Sequence, residues 1–403
     1  MSSGTTLWNS SSENVDAPVG APSQRSMVHA SPGNDTAPAG DRAASSTYCL
    51  PRTLQTGARP AFVLVMLGFI IGAPALLSDY VLSAVLVPVL TLALAGTGQN
   101  ILTGYAGQLS VGSAAFMCVG AFATYGIHSH WSEVPLLASF AFGGFVAALF
   151  GVLVGLPSLR IRGFYLVVST LAAQFFVVWL FTTFGWFSNY STSGVVTAPT
   201  LSIGPITLSS PGGHYWLALL VVAPLTWIAH NLARGRLGRS WMAVRDMEAA
   251  AAVVGVRTGT TKLGAFAVSS FYCGVAGSLW AFVYLGTIEP HGLDLDRSFQ
   301  VLFIAILGGL GSIAGPFVGA AFVVLLPVAL DRVSAALLGS SIDPGVVQNV
   351  DKIVFGTLVI VLLVRQPAGM VRLIHIFGLQ CGELLARLAS AKRRSRRRGT
   401  SSI

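Results

Sequence analysis

The sequence predicts an all-α polytopic membrane protein, a helical bundle of about ten membrane segments with one cytoplasmic helix outside the bilayer. Three observations carry this. Hydrophobic residues make up 53% of the chain and charged residues only 10%, whereas a soluble protein keeps about a quarter charged to stay solvated. From Ala61 to Leu159 there is no Lys or Arg and almost no acid. Uncharged apolar stretches, of the ~20 residues that crossing roughly 30 Å of hydrocarbon requires, recur along the chain.

Residues 1–60 come first and differ from the rest. They are rich in Ser, Thr, Ala, Pro, Gly and Asn without apolar periodicity, which predicts a disordered polar leader. No early apolar core marks a signal peptide. The transmembrane domain then runs over 61–372. Its apolar segments fall near 61–78, 80–103, 108–128, 135–156, 164–184, 215–232, 263–285, 297–311, 313–331 and 350–366. The stretch 297–331 also reads as a re-entrant hairpin. Small-residue pairs such as Gly151/Gly155 and Gly315/Gly319 favour close helix contacts.

Basic residues set the orientation. Arg160 and Arg162 follow the fourth segment. Arg234, Arg236, Arg239, Arg245, Arg257 and Lys262 lie between the sixth and seventh. The tail, 373–403, contains Lys392, Arg393, Arg394, Arg396, Arg397 and Arg398. An even number of crossings with both termini cytoplasmic puts every basic cluster on one side. The tail has no interleaved aromatics, so its expected contact is water or anionic membrane lipid and not nucleic acid.

Several chemistries find no support. Cys49, Cys118, Cys273 and Cys381 are scattered, which predicts neither a metal site nor a disulfide framework. The three lysines, Lys262, Lys352 and Lys392, do not follow a glycine, so there is no phosphate-binding Gly-Lys-Ser/Thr loop and any ATP must act on another chain. Gly308, Gly309 and Gly311 lie between apolar segments and read as close packing or a helix break. An ion-gradient-driven secondary transporter needs titratable groups within its spans; the spans before residue 213 carry essentially none. The same feature predicts a path without a fixed ion, suited to an uncharged or zwitterionic solute.

Two segments remain. Residues 233–262 are too charged to cross the membrane. Good helix formers over Ser240–Val254, with Gly238 before them and Gly255 as C-cap, predict one short amphipathic helix in which Arg245 and Glu248 pair. A small face of Ala250, Ala251 and Gly255 would fit a groove on an external motor; resting on anionic lipid is the alternative. The second segment holds Gly104, Tyr105, Gly107, Gln108, Ser110, Gly112 and Ser113, a polar interruption between apolar stretches. It reads either as a broken helix lining a translocation path or as a cytoplasmic turn.

The run GRSWMAVRDMEAAAAVVGVRTGTTKLGAFAVSSFYCGVAGSLWA resembles the coupling region of LivM-type permeases, the branched-chain amino acid family of ABC importers. NILTGYAGQLSVGSAAFMCVGAFAT, FIAILGGLGSIAGPFVGAAFVVLLP and VFGTLVIVLLVRQPAGM resemble further family segments in the family's order. Together they cover most of residues 61–372. Ser113 departs from the pattern, standing where the family usually carries His.

The resemblance implies that Glu248, Ala250, Ala251 and Gly255, preceded by Arg245 and Asp246, dock into an ATPase, and it tips the 104–113 segment toward a pathway role. It also implies partners: cytoplasmic ABC ATPase subunits that bind ATP and Mg, a second permease subunit, and an extracytoplasmic solute-binding protein. No cofactor belongs to this chain and no covalent chemistry is expected of it. The implied location is the bacterial inner membrane. A non-transporting scaffold would leave the loop and the broken helices without a purpose.

Overall fold

A computed structural model describes residues 78–338, apart from the short connecting stretches 132–133, 159–163, 188–194, 200–201, 204–205 and 208–209, and a few positions between 353 and 370. The leader 1–60, nearly all of segment 61–78 and the tail 373–403 lie outside the described residues.

Long helices dominate. They are α1 (Asp79–Tyr105), α2 (Ser113–His130), α3 (Leu136–Ser158), α4 (Phe164–Thr183), α5 (Pro211–Arg234), α8 (Thr258–Leu285), α9 (Leu295–Gly308) and α10 (Gly315–Leu338). Between α5 and α8 lie the short α6 (Arg236–Asp246) and α7 (Glu248–Val253). Five helices, α1, α3, α4, α5 and α8, are long and apolar enough to cross a membrane, and α10 holds a shorter apolar stretch. Predicted segments 164–184 and 313–331 fall on α4 and α10 almost residue for residue at their starts.

Burial separates the helices into two groups. In α8 and α1, 83% and 72% of the apolar window is buried, against 28% in α4 and 33% in α5. The first pair is the centre of the bundle; the second offers Phe175, Phe176, Trp179 and Trp227 outward, as helices facing lipid do. The centre packs through small residues. A Cβ on Gly120 would stand 2.3 Å from the Gly274 carbonyl, and one on Gly151 2.0 Å from Ser270 Oγ. Such contacts let α2 and α3 press directly on α8.

The helices α2 and α9 start inside the bundle. Gln174, near the middle of α4, accepts from the Ala115 N–H in the first turn of α2 at 2.6 Å. The same side chain donates to the Leu293 carbonyl just ahead of α9 at 3.0 Å. With 14 residues, α9 rises only about 21 Å, short of the hydrocarbon thickness. Over 297–331 the chain therefore makes a short helix begun at depth, a glycine break and the longer α10.

At the end away from α6 and α7, two connections are clasped together. β1 (Val196–Thr197) pairs antiparallel with β4 (Thr287–Ile288), Val196 opposite Ile288. β2 (Ser202–Ile203) and β3 (Ile206–Thr207) form a second small ribbon.

Candidate coupling segment and helix breaks

The segment expected to be one helix over Ser240–Val254 is two. Helix α6 begins earlier, at Arg236, with Gly235 as its N-cap residue, and Gly238 lies within it instead of breaking it. The chain is extended at Met247 (φ −154, ψ 95), and α7 follows. The expected Arg245–Glu248 pair is not formed. Arg245 instead contacts Asp246 at 2.9 Å, and Glu248 accepts from Lys262 Nζ on α8 at 2.7 Å. Residues three apart on a continuous helix share a face; the break at Met247 lets these two side chains reach different partners.

Trp241 pins the segment to the bundle. It is 1% exposed and its indole N–H donates to the Thr261 carbonyl at 3.1 Å. Helix α7 ends as the sequence predicts. Gly255 takes φ +90, its N–H bonds to Ala252 O and the next N–H to Ala251 O, a Schellman closure that only glycine adopts without strain. The predicted small face is divided. Ala251 is buried against the chain's own bundle, whereas Ala250 and Gly255 are exposed. Next to them Met247, Val253 and Val254 are 70%, 88% and 84% exposed.

Arg245 reaches inward. Its Nη1 donates to the Gly104 carbonyl, near the last turn of α1, at 2.7 Å. Its stem covers Gly107 (φ +69), where a Cβ would stand 2.6 Å from Arg245 Cγ. One turn before Gly104, Asn100 spans to the α9–α10 break. Its Oδ1 accepts from the Gly311 N–H at 2.9 Å, and its Nδ2 donates to the Ser312 carbonyl at 2.7 Å. A Cβ on Gly104 would stand 2.2 Å from Asn100 Oδ1 and 2.5 Å from Gly311 N. A single network thus joins the segment between α5 and α8 to the ends of two broken helices. The glycines at 308–311 serve that break: Gly309 and Gly311 both take positive φ.

The polar interruption is not a compact turn. Gly104 and Tyr105 close α1, residues 106–112 run on without helix, and Ser113 opens α2. Ser110 O accepts from Gln99 Nε2 at 2.7 Å, and the Val111 N–H donates to Thr170 Oγ1 at 3.1 Å. Gly112 lies against Thr170, with room for no Cβ. Ser113 Oγ donates to Ser298 O, and the Ala114 N–H donates to Ser298 Oγ at 2.9 Å. The Gln108 carboxamide is buried without a hydrogen-bond partner among the described residues. Sequence reasoning missed Gln99, Thr170, Gln174 and Ser298, which satisfy this backbone, and Asn100, which satisfies the α9–α10 break. An amide inside an apolar span was the available signal, since buried polar groups need partners.

Apolar helices broken inside a bundle define the class as a multi-pass membrane protein with a feature that recurs in transporters. The comparisons agree, and the chain belongs to the family described as branched-chain amino acid transport system / permease component, which matches residues 81–363. It is 28% identical over 302 residues to the high-affinity branched-chain amino acid transport system permease protein LivM of Salmonella typhimurium, and equally to that of Escherichia coli. That alignment covers 68% of this chain and 66% of the relative, so the chain spans slightly under two thirds of those proteins. The autoinducer 2 import system permease protein LsrC of Enterobacter sp. strain 638 is 27% identical over 227 residues, 55% of this chain and 63% of that one. No solved structure matches.

Proposed function

We propose that the chain is a permease subunit of an ATP-binding-cassette importer in the bacterial inner membrane, with α6 and α7 on the cytoplasmic side. The observation that supports it most is the Arg245 contact with Gly104, because it connects an exposed apolar docking surface to a helix break. The exposed Met247, Ala250, Val253 and Val254 suit a groove on a cytoplasmic ATPase, which would bind ATP and Mg²⁺. Closure of two such ATPases would move α6 and α7. Arg245 would then pull on the end of α1, and Asn100 would carry the shift to the α9–α10 break. A second permease subunit would complete the path, and an extracytoplasmic solute-binding protein would deliver the solute to the clasped rim. The similarity to LivM permeases of branched-chain amino acid transport systems favours a branched-chain amino acid as that solute.

The test is a mild-detergent purification of the tagged chain from its native membrane, with mass spectrometry of what accompanies it and ATP-driven uptake in proteoliposomes. Recovery of a P-loop ATPase and a second hydrophobic chain, with uptake that stops without ATP, is the expected result. A chain that purifies alone and transports under an ion gradient would replace this reading with a secondary carrier.

A further inference from the structure

We propose that Arg297 and Trp280 form a subsite for the carboxylate of an α-amino acid, with Asp294 and Asp296 placed to favour its ammonium group. The inference rests on the importer reading above and assigns two residues of this chain to contact its solute.

The sequence suggests a path without a fixed ion, yet the structure puts one at the start of α9. The Arg297 guanidinium lies over the Trp280 ring, 4.3 Å from its centroid. The stack uses the π-face and leaves the in-plane donors free. One of them is taken, since Arg297 Nη1 donates to Gln300 Oε1. Arg297 Nε is buried and has no partner among the described residues, and the same holds for Trp280 Nε1. Trp280 itself is only 4% exposed. Two buried donors without acceptors are costly to keep, and both belong to groups suited to a carboxylate: a planar guanidinium fork and an indole N–H.

The surroundings select between anions and zwitterions. Asp296 and Asp294 lie one and three residues before Arg297, at the start of α9. No carboxylate lies within ion-pair distance of the guanidinium among the described residues. Asp294 is held in place as the N-cap of α9, accepting from the Asp296 and Arg297 N–H groups. One cation beside two carboxylates carries a net negative charge, which repels a simple anion. A ligand carrying both signs suits it, whereas urea or a neutral sugar gains nothing from the charges.

The position is also apt. Over Trp280–Leu285 helix α8 widens into π-helical geometry, a local distortion frequent at functional sites. Tyr284 packs on Trp280 with centroids 4.5 Å apart and is 37% exposed, and it lies three residues before β4 at the rim. Below it, the first turn of α9 leads to Ser298 and the start of α2.

The test uses the complex purified with its partner chains, reconstituted with saturating substrate-loaded binding protein, and reads L-leucine moved per ATP hydrolysed. Trp280→Phe keeps an aromatic face under the guanidinium and removes only the Nε1 donor. Its ratio is expected to fall about tenfold, as for loss of one buried hydrogen bond to a charged group. A purely structural stack predicts no change, and a wild-type ratio in this variant overturns the subsite. Should Trp280→Phe not assemble, Arg297→Lys carries the test: it keeps the cation, loses the Nε–H, and faces the same two outcomes. If the wild-type complex moves urea or a sugar under ATP but not leucine, the importer reading stands and the subsite falls. Absence of ATP-driven uptake for all three solutes would instead remove the importer reading.

Discussion

Between α1 and α2 the broken backbone is held by Gln99, Thr170, Gln174 and Ser298, each making its own hydrogen bond to residues 110–115. Between α9 and α10 the side-chain bonds described above come from Asn100, which supplies both a donor and an acceptor. The first break is therefore held from three helices, and the second, among the described residues, takes its side-chain hydrogen bonds from one. Asn100 lies one turn from Gly104, where Arg245 makes its contact. On the function proposed above, a displacement of α6 and α7 would reach the singly held break first. The difference teaches where the bundle resists deformation and where it transmits it.

Substitutions can break or sharpen this contrast. The largest effect is expected for Asn100→Leu, which strands the Gly311 N–H and the Ser312 carbonyl. At about 1–3 kcal/mol for each unmatched group, the purified protein should melt well below wild type. A melting shift no larger than that of Ser298→Ala would erase the contrast. Next comes Arg245→Ala, for which uptake should fall at least about tenfold, a loss of ~1.4 kcal/mol of coupling, while co-purification with the ATPase persists. Arg245→Lys should fall between, because a single ammonium cannot serve the Gly104 carbonyl and Asp246 through a planar fork. Equal uptake in all three proteins would detach Arg245 from coupling.

Smaller effects belong to the side held from several helices. Ser298→Ala strands one N–H while Gln174 and Thr170 keep their own bonds, and should cost about 1–3 kcal/mol in a denaturation assay, for one unmatched group against the two of Asn100→Leu. The smallest shift is expected of Glu248→Gln. Its pair with Lys262 is partly exposed, 33% and 16% by side chain, so screening leaves it about 0.5–1 kcal/mol. That loss should vanish at high salt, and a larger, salt-independent loss would show that α7 is held by something other than this pair.

Five spans among the described residues were legible because hydropathy reports directly on the membrane as solvent. Segment 164–184 is observed as Phe164–Thr183, and Gly255 caps α7 as its neighbours suggest. The break at Met247 was not legible. Met and Ala favour helix locally, and the residues that override them are far off in sequence: Gly104, 141 positions from Arg245, and Lys262 on the next span. Asn100 lay inside a recognised motif, yet its partners are 211 and 212 residues away. Within the polar interruption the residue types were readable and their bonding was not, since Gln174 and Ser298 come from other segments. Arg297 escaped notice as an ordinary charge at the edge of a span; only the fold sets it over Trp280.

The clasp at the far rim has an evolutionary consequence. Val196, Thr197, Thr287 and Ile288 are joined through main-chain hydrogen bonds, and Ala198 adds another to Gly286. Bonds between backbone groups do not depend on which side chains are present. Outward-facing residues of this strap can therefore drift without loosening it. A solute-binding protein of the kind proposed above, with a different surface, could be accommodated by changing a few of them, while the buried helices behind keep their sequence. Diversification at the entrance and constancy in the interior then become separable traits, open to selection one at a time.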